Sequence, residues 1–212
     1  MDIKPIQTIY RGYKFRSRLE ARWAVFFDTL GIEYRYEGEG YDLDGVWYLP
    51  DFYLPQYNYF IEIKPDMPTR EEREKAIKLC QIKRCRVLIL CGDVWKDVEC
   101  HAFEPLKKKF LEDIDTDRHQ LYPITTDEWI VTGVSSPIPL ILYMNIGVIW
   151  TPVYWTICDA CQRIDLTGPH SPACCKECSV DLDSPRLLAA YTAARQARFE
   201  HGESPSEHQQ QQ

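Results

Sequence analysis

The chain is expected to fold as an α/β protein with a mixed sheet built in the order αβββαβ, followed by a small four-cysteine module and a terminal helix. Three observations predict this. An apolar stripe at helical spacing opens the chain, three strand-like runs follow it, and a capped helix then separates the third run from a continuous apolar one. A strand joined to the next by a helix returns parallel, whereas the earlier runs can form an antiparallel meander.

Residues 1–14 read as a lead-in, an extended arm. From Ser17 a helix begins, with Leu19, Trp23, Phe26, Phe27 and Leu30 on one stripe and Gly31 as its stop. IEYRYE (32–37) alternates apolar and charged residues as a strand does, and GEGYDLDG (38–45) carries turn residues. VWYLPDFYL (46–54) reads as one strand with a proline that marks an edge or bend, and YNYFIEIK (57–64) as the next. Thr69 and Glu72 make a capping box for a helix to about residue 82, and CRVLILCG (85–92) is a buried strand closed by Gly92. EPLKKKFLED reads as a short helix and HQLYPITTDEWIVTG as a strand or turn. A last helix is expected from Ser184, with Pro185 in its first position, to about His201; the polar tail after it should be disordered. The expected units are 1–128, a connecting set of apolar strands at 129–155, the cysteine module and helix at 156–201, and the tail at 202–212.

The composition narrows the function classes. Of 212 residues 45% are hydrophobic and 13% aromatic, which supplies a core and excludes wholesale disorder. The net charge is −7, unsuited to coating nucleic acid by bulk charge. It is unevenly spread: residues 1–110 hold 19 Lys and Arg against 18 Asp and Glu, the rest 6 against 14. No charge occurs from Trp129 to Cys158, but this stretch is broken by Gly and Pro, and Leu140–Trp150 is too short to cross a bilayer as a helix. Buried strands are expected, with no membrane partner. The N-terminus lacks an apolar signal region, so a cytoplasmic location is expected. In that reducing setting Cys80, Cys85, Cys91 and Cys100 read as small buried hydrophobes.

The chemistry concentrates in Tyr48–Pro65. Strand side chains alternate faces, so Glu62 and Lys64 point one way and Ile61 and Ile63 the other. A charged pair on an apolar strand is costly to bury without a partner. Asp51 and Glu62 are hard oxygen donors that suit Mg²⁺ or Mn²⁺ rather than Zn²⁺. Asp42 and Asp44 are read as turn residues before accessory acids.

Glu20 at the helix start, Pro50-Asp51, then Glu62-Ile63-Lys64 on a strand resemble the PD-(D/E)XK nuclease superfamily, over roughly residues 10–95. Within it the chain looks most like phage or mobile-element nucleases and the subunits that cleave transposon ends. The resemblance implies a restriction-endonuclease-like core and a metal-dependent DNA endonuclease. Asp51, Glu62 and the Ile63 carbonyl would bind Mg²⁺, Lys64 would orient or deprotonate the attacking water, and Glu20 would act through water or a second ion. Lys14, Arg16 and Arg18 flank the helix start as candidate phosphate contacts. The alternatives are a non-catalytic nucleic-acid-binding or assembly module on the same scaffold, and a nuclease active only within a transposition or defence complex. A homodimer is left open.

Cys158-x₂-Cys161 and Cys175-x₂-Cys178 stand thirteen residues apart, the spacing of a structural Zn²⁺ ribbon. Cys174 and His170 are the alternative ligands. Acidic residues around the knuckles favour a structural or protein-contact role over DNA contact.

Overall fold

The structure, a computed structural model, describes residues 5–95, 98–105, 119–125, 128–133, 140–143, 148–167 and 180–199. It is a mixed α/β protein with three helices among these residues. Of the expected extended arm, residues 1–4 lie outside the described residues, and the rest is not extended throughout. β1 (Thr8–Tyr10) and β2 (Tyr13–Phe15) form a tight hairpin, because Arg11 and Gly12 both adopt positive φ and close a two-residue turn. α1 (Arg18–Leu30) follows, with Ser17 as N-cap and Gly31 as a left-handed C-cap.

The run 32–37 pairs only at β3 (Arg35–Tyr36). The run 46–54 is two strands in two sheets, not one. β4 (Tyr41–Asp42) and β5 (Trp47–Tyr48) form a separate hairpin, and the chain breaks at Pro50 before β6 (Phe52–Leu54) joins the main sheet. The hairpin turn is Asp44-Gly45, both at positive φ, and Asp42 accepts the Gly45 N–H at 2.6 Å. These two aspartates thus serve the turn.

β7 (Tyr59–Lys64) pairs antiparallel with β6 and parallel with β8 (Arg86–Cys91), and the crossover is α2 (Arg70–Lys83) behind the Thr69–Glu72 capping box. The order α1, β3, β6, β7, α2, β8 is the αβββαβ order that the sequence pattern predicts, with the β4–β5 hairpin inserted. The sheet continues through β9 (Glu99–Pro105), β10 (His119–Thr125), β11 (Glu128–Gly133), β12 (Leu140–Tyr143) and β13 (Val148–Pro152). Among the described residues its nine strands run β10-β11-β12-β13-β9-β8-β7-β6-β3. Glu104 and Pro105, expected at the start of a short helix, end β9 instead; the rest of that stretch lies outside the described residues.

A three-stranded sheet follows: β14 (Tyr154–Cys158) between β15 (Ile164–Thr167) and β16 (Val180–Asp181). The last helix, α3 (Pro185–Gln196), ends five residues before the expected His201, and Ser184 caps it without a side-chain bond. Two apolar clusters sit on opposite faces of β7. Ile61 and Ile63 join α1, α3 and β14 through Phe26, Phe27, Trp155 and Tyr191, whereas Phe60 joins Tyr48 and α2. Cys80, Cys85, Cys91 and Cys100 are buried, as expected of small hydrophobes. No helix among the described residues is long and apolar enough to cross a membrane.

Candidate functional site

The alternation of β7 decides which groups meet. With Ile61 and Ile63 in the α1 cluster, Glu62 and Lys64 face α2. Glu62 is 7% exposed. Its Oε2 accepts the Tyr48 hydroxyl at 2.9 Å, and its Oε1 pairs with Lys64 Nζ at 2.9 Å. The same ammonium reaches Glu72 Oε1 at 2.9 Å, so the α2 capping-box glutamate also anchors the strand lysine. Burial works against the Lys64 charge, but Glu62 and Glu72 outweigh it and raise its proton affinity above the ordinary lysine range. Glu72 is lowered in return: burial opposes its charge, and Lys64 and the Thr69 cap prevail.

Asp51 stands at the broken start of β6 and is 2% exposed. Its Oδ2 accepts the Ile63 N–H at 2.7 Å and its Oδ1 pairs with the Arg16 guanidinium. Arg16 Nε also holds Glu37 at 2.7 Å, and the Glu37 N–H donates to the Asp51 carbonyl at 2.9 Å. Glu20, 7% exposed, lies on the first turn of α1. Its backbone N–H donates to Ser17 Oγ, the N-cap bond expected from the sequence. Its carboxylate does more than complete the cap: it accepts the Ser17 hydroxyl, the Arg16 N–H and, at 2.6 Å, the Tyr36 hydroxyl.

Asp51 is the electrostatic hub. Burial first, then the charges of Glu62 and Glu20, push its carboxyl from 3.8 up to about 8, against the pull of the Ile63 N–H and Arg16. Asp51, at the strand break, therefore lies within the field of both Glu20 from the helix and Glu62 from β7. With Glu37 and Glu72 the group holds five acids against Arg16 and Lys64, an excess of three negative charges when all are ionised. Tyr48 and Tyr36 keep their protons, raised by burial and then by the glutamates they serve.

Once Asp51 is ionised, that excess of carboxylate oxygen, buried at Glu20, Asp51 and Glu62, suits a hard divalent cation. In the structure, however, each carboxylate already carries protein donors, and no group of three or more His, Cys, Asp or Glu is arranged to hold a metal among the described residues. Of the candidate phosphate contacts, Arg16 is exposed, but its guanidinium is paired with Asp51 and Glu37. Lys14 is exposed on β2 opposite Ile9, and Arg18 is half-buried with its Nε unpartnered among the described residues.

Tyr36, Tyr48, Glu37 and Glu72 belong to the site and were not singled out for it from the sequence. Only Glu72 carried a local signal, the capping box, and that signal pointed elsewhere. Cys158 is buried at the end of β14 and Cys161 is exposed in the β14–β15 turn, where the Gln162 N–H donates to the Cys158 carbonyl at 2.8 Å. His170, Cys174, Cys175 and Cys178 lie outside the described residues.

Set beside known proteins, the chain matches no family model, and no curated protein and no solved structure is significantly similar to it.

Proposed function

We propose that the chain is a metal-dependent nuclease that hydrolyses DNA phosphodiester bonds at Glu20, Asp51, Glu62 and Lys64. The observation that carries this reading is a buried acid, Asp51, that feels two other buried acids remote in sequence, Glu20 and Glu62, the latter on a strand that also presents a lysine. The αβββαβ order of the surrounding elements supports it. Asp51 and Glu62, with the Ile63 carbonyl, would hold Mg²⁺ or Mn²⁺. Such an ion, when bound, supplies charge for the phosphate and acidifies a water. Lys64, kept protonated between two carboxylates, acts as a cation that offsets developing charge rather than as the proton acceptor. Tyr48 and Tyr36 fix the Glu62 and Glu20 carboxylates by donating to them. Arg16 pairs with Asp51 and is the group a cation must displace.

The test is incubation of the purified chain with supercoiled and branched DNA and Mg²⁺ or Mn²⁺. Asp51→Asn and Lys64→Ala should each lower cleavage by on the order of 10²-fold or more. Cleavage indifferent to both substitutions removes the proposal. One observation favours a second reading, a non-catalytic assembly module: the acids are already satisfied by Arg16, Lys64 and two tyrosines. Absence of divalent binding at these acids, with partner binding intact, decides for it. The cysteine pairs are proposed to hold one structural Zn²⁺ through Cys158, Cys161, Cys175 and Cys178, which metal analysis of the purified chain tests directly.

A further inference from the structure

A cavity of about 480 Å³ opens beside the acid group, and nothing in the proposed chemistry uses it. Pro50 and Phe52, the chain neighbours of Asp51 on either side, are part of its wall. Five elements contribute further side chains, Arg35 on β3, Tyr41 on β4, Tyr53 on β6, Phe60 on β7 and Lys83 closing α2, and the loops between them add Glu39 and Asn58. The volume is that of a small-ligand site.

Its lining is chemically mixed in a specific way. Tyr53 and Phe60 lie with ring centroids 4.8 Å apart and planes 37° off parallel, and Tyr41 meets Phe60 edge-on at 5.4 Å. Lys83 Nζ stands 4.0 Å from the Tyr41 ring centre. Arg35 and Lys83 are exposed, and neither is neutralised by a carboxylate among the described residues, in contrast to Arg16 and Lys64. One acid, Glu39, lines the cavity and accepts the Tyr41 hydroxyl at 2.9 Å. Asn58, whose Oδ1 accepts the Tyr53 hydroxyl at 3.1 Å, leaves its amide N–H₂ to donate.

Rings, two unneutralised cations and a small set of hydrogen-bonding groups are what an unpaired nucleotide needs. The cations attract the phosphates, the rings stack on the base, and the amide and carboxylate read its edge. Trp47 adds a further ring face close by. The residue is 69% exposed and its indole lies against Gly40, where a Cβ would fall 2.2 Å from the ring, so the glycine between Glu39 and Tyr41 is what lets it sit there. A base pair inside a duplex cannot offer its face to such a pocket, whereas a base in a single strand can.

We infer that this cavity holds an unpaired nucleotide, and that the substrate class is nucleic acid with single-stranded character next to the cut bond. The inference rests on the nuclease reading for the cut but not for the binding, and the two are measured apart. Binding is read by fluorescence anisotropy of a labelled short oligothymidylate and of a duplex of equal length, with the full chain in buffer free of added Mg²⁺ and Mn²⁺ and of chelator. The single strand should bind more tightly than the duplex. Arg35→Ala with Lys83→Ala should weaken it about tenfold and flatten its log–log salt slope by about 1.4, the share of two phosphate contacts on a single strand.

Gly38→Leu serves as the second variant. It fills the cavity without changing charge at a position where a Cβ meets only ordinary contact, 3.5 Å from Arg35 Cβ. It should weaken single-strand binding and leave the salt slope alone. Duplex binding as tight as single-strand binding, or single-strand binding unchanged in both variants, overturns the inference. DNA cut with Mg²⁺ while the variants bind and cut as the parent does leaves the nuclease reading standing and removes the cavity assignment. Cavity-dependent binding without any cleavage does the reverse.

Discussion

The Asp51 carboxylate accepts the backbone N–H of Ile63 at 2.7 Å, so the acid that ends one run closes the hydrogen-bond ladder of the next strand. The β6–β7 register pairs Phe52 with Ile61, and two residues further on Pro50 would face Ile63. Because β6 starts only at Phe52, the Ile63 N–H has no strand partner there, and a side-chain oxygen takes the place of a carbonyl. That bond places Asp51 beside the stretch of β7 that carries Glu62 and Lys64.

The first consequence is a pH dependence. Burial, then Glu62 and Glu20, raise the Asp51 carboxyl from 3.8 to about 8, so the folded chain binds this proton more tightly than the unfolded one. The resulting stability is complete below the unfolded value and is lost as pH rises through the folded value. In the absence of divalent metal, unfolding free energy should fall between about pH 5 and about pH 8 by at most about 1.4 kcal/mol per unit. Urea titrations across that range measure the slope. Asp51→Asn should flatten it, and an equal slope in the variant would assign the effect to another group.

Cation binding should release that proton. A ligand carboxylate must be ionised, and Asp51 is not fully so near neutrality. Calorimetric titration of Mn²⁺ in two buffers of different ionisation heat should show proton release in the parent and none in Asp51→Asn. Arg16→Gln removes the guanidinium that competes for Asp51 and should tighten Mn²⁺ binding while lowering metal-free stability. Weaker binding in Arg16→Gln would show that the arginine supports the cation rather than competing with it.

What was legible in the sequence is what local pattern encodes. The Leu19–Leu30 stripe with Ser17 and Gly31, the Thr69–Glu72 box, the alternation of Tyr59–Lys64 and the apolar run before Gly92 give α1, α2, β7 and β8 near their observed bounds. The hairpin at Arg11-Gly12 went unread because a non-glycine residue holds one of its two positive-φ positions. The run 46–54 is continuous in hydropathy, yet its halves belong to different sheets, a separation made by long-range pairing. Within the site the acids and the lysine stood out because charge is costly inside apolar strands. The tyrosines that serve them did not, since Tyr36 and Tyr48 lie 16 and 14 residues from Glu20 and Glu62 and resemble any core aromatic.

Tyr48 supplies the next prediction. Its hydroxyl donates to Glu62 Oε2 in a buried setting, and Tyr48→Phe leaves that charged oxygen without its donor. The variant should lose about 1–3 kcal/mol in urea unfolding. Tyr41→Phe is the control, because its bond to Glu39 is exposed; it should change stability by less than about 0.5 kcal/mol. Equal losses in the two variants would mean that the buried bond to Glu62 contributes no more than the exposed one to Glu39.

The C-terminal helix tests whether the chain folds as one unit. Tyr191 packs on Phe26 with ring centroids 4.7 Å apart, and Arg186 donates to the Leu30 carbonyl at 2.9 Å, satisfying the C-terminal end of α1. Trp155 and Leu166 of the small sheet enter the same cluster, so α1 is covered by residues that lie more than a hundred positions downstream. Tyr191→Ala should therefore cost about 3–5 kcal/mol, the range for removing a large aromatic from a packed core. Arg186→Ala should cost about 0.5–1.5 kcal/mol. In both variants tryptophan fluorescence and far-ultraviolet circular dichroism should report one shared transition, moved to lower denaturant. Two separated transitions in Tyr191→Ala, with the earlier one confined to fluorescence, would mean that the C-terminal elements unfold without disturbing α1 and the acid group it positions.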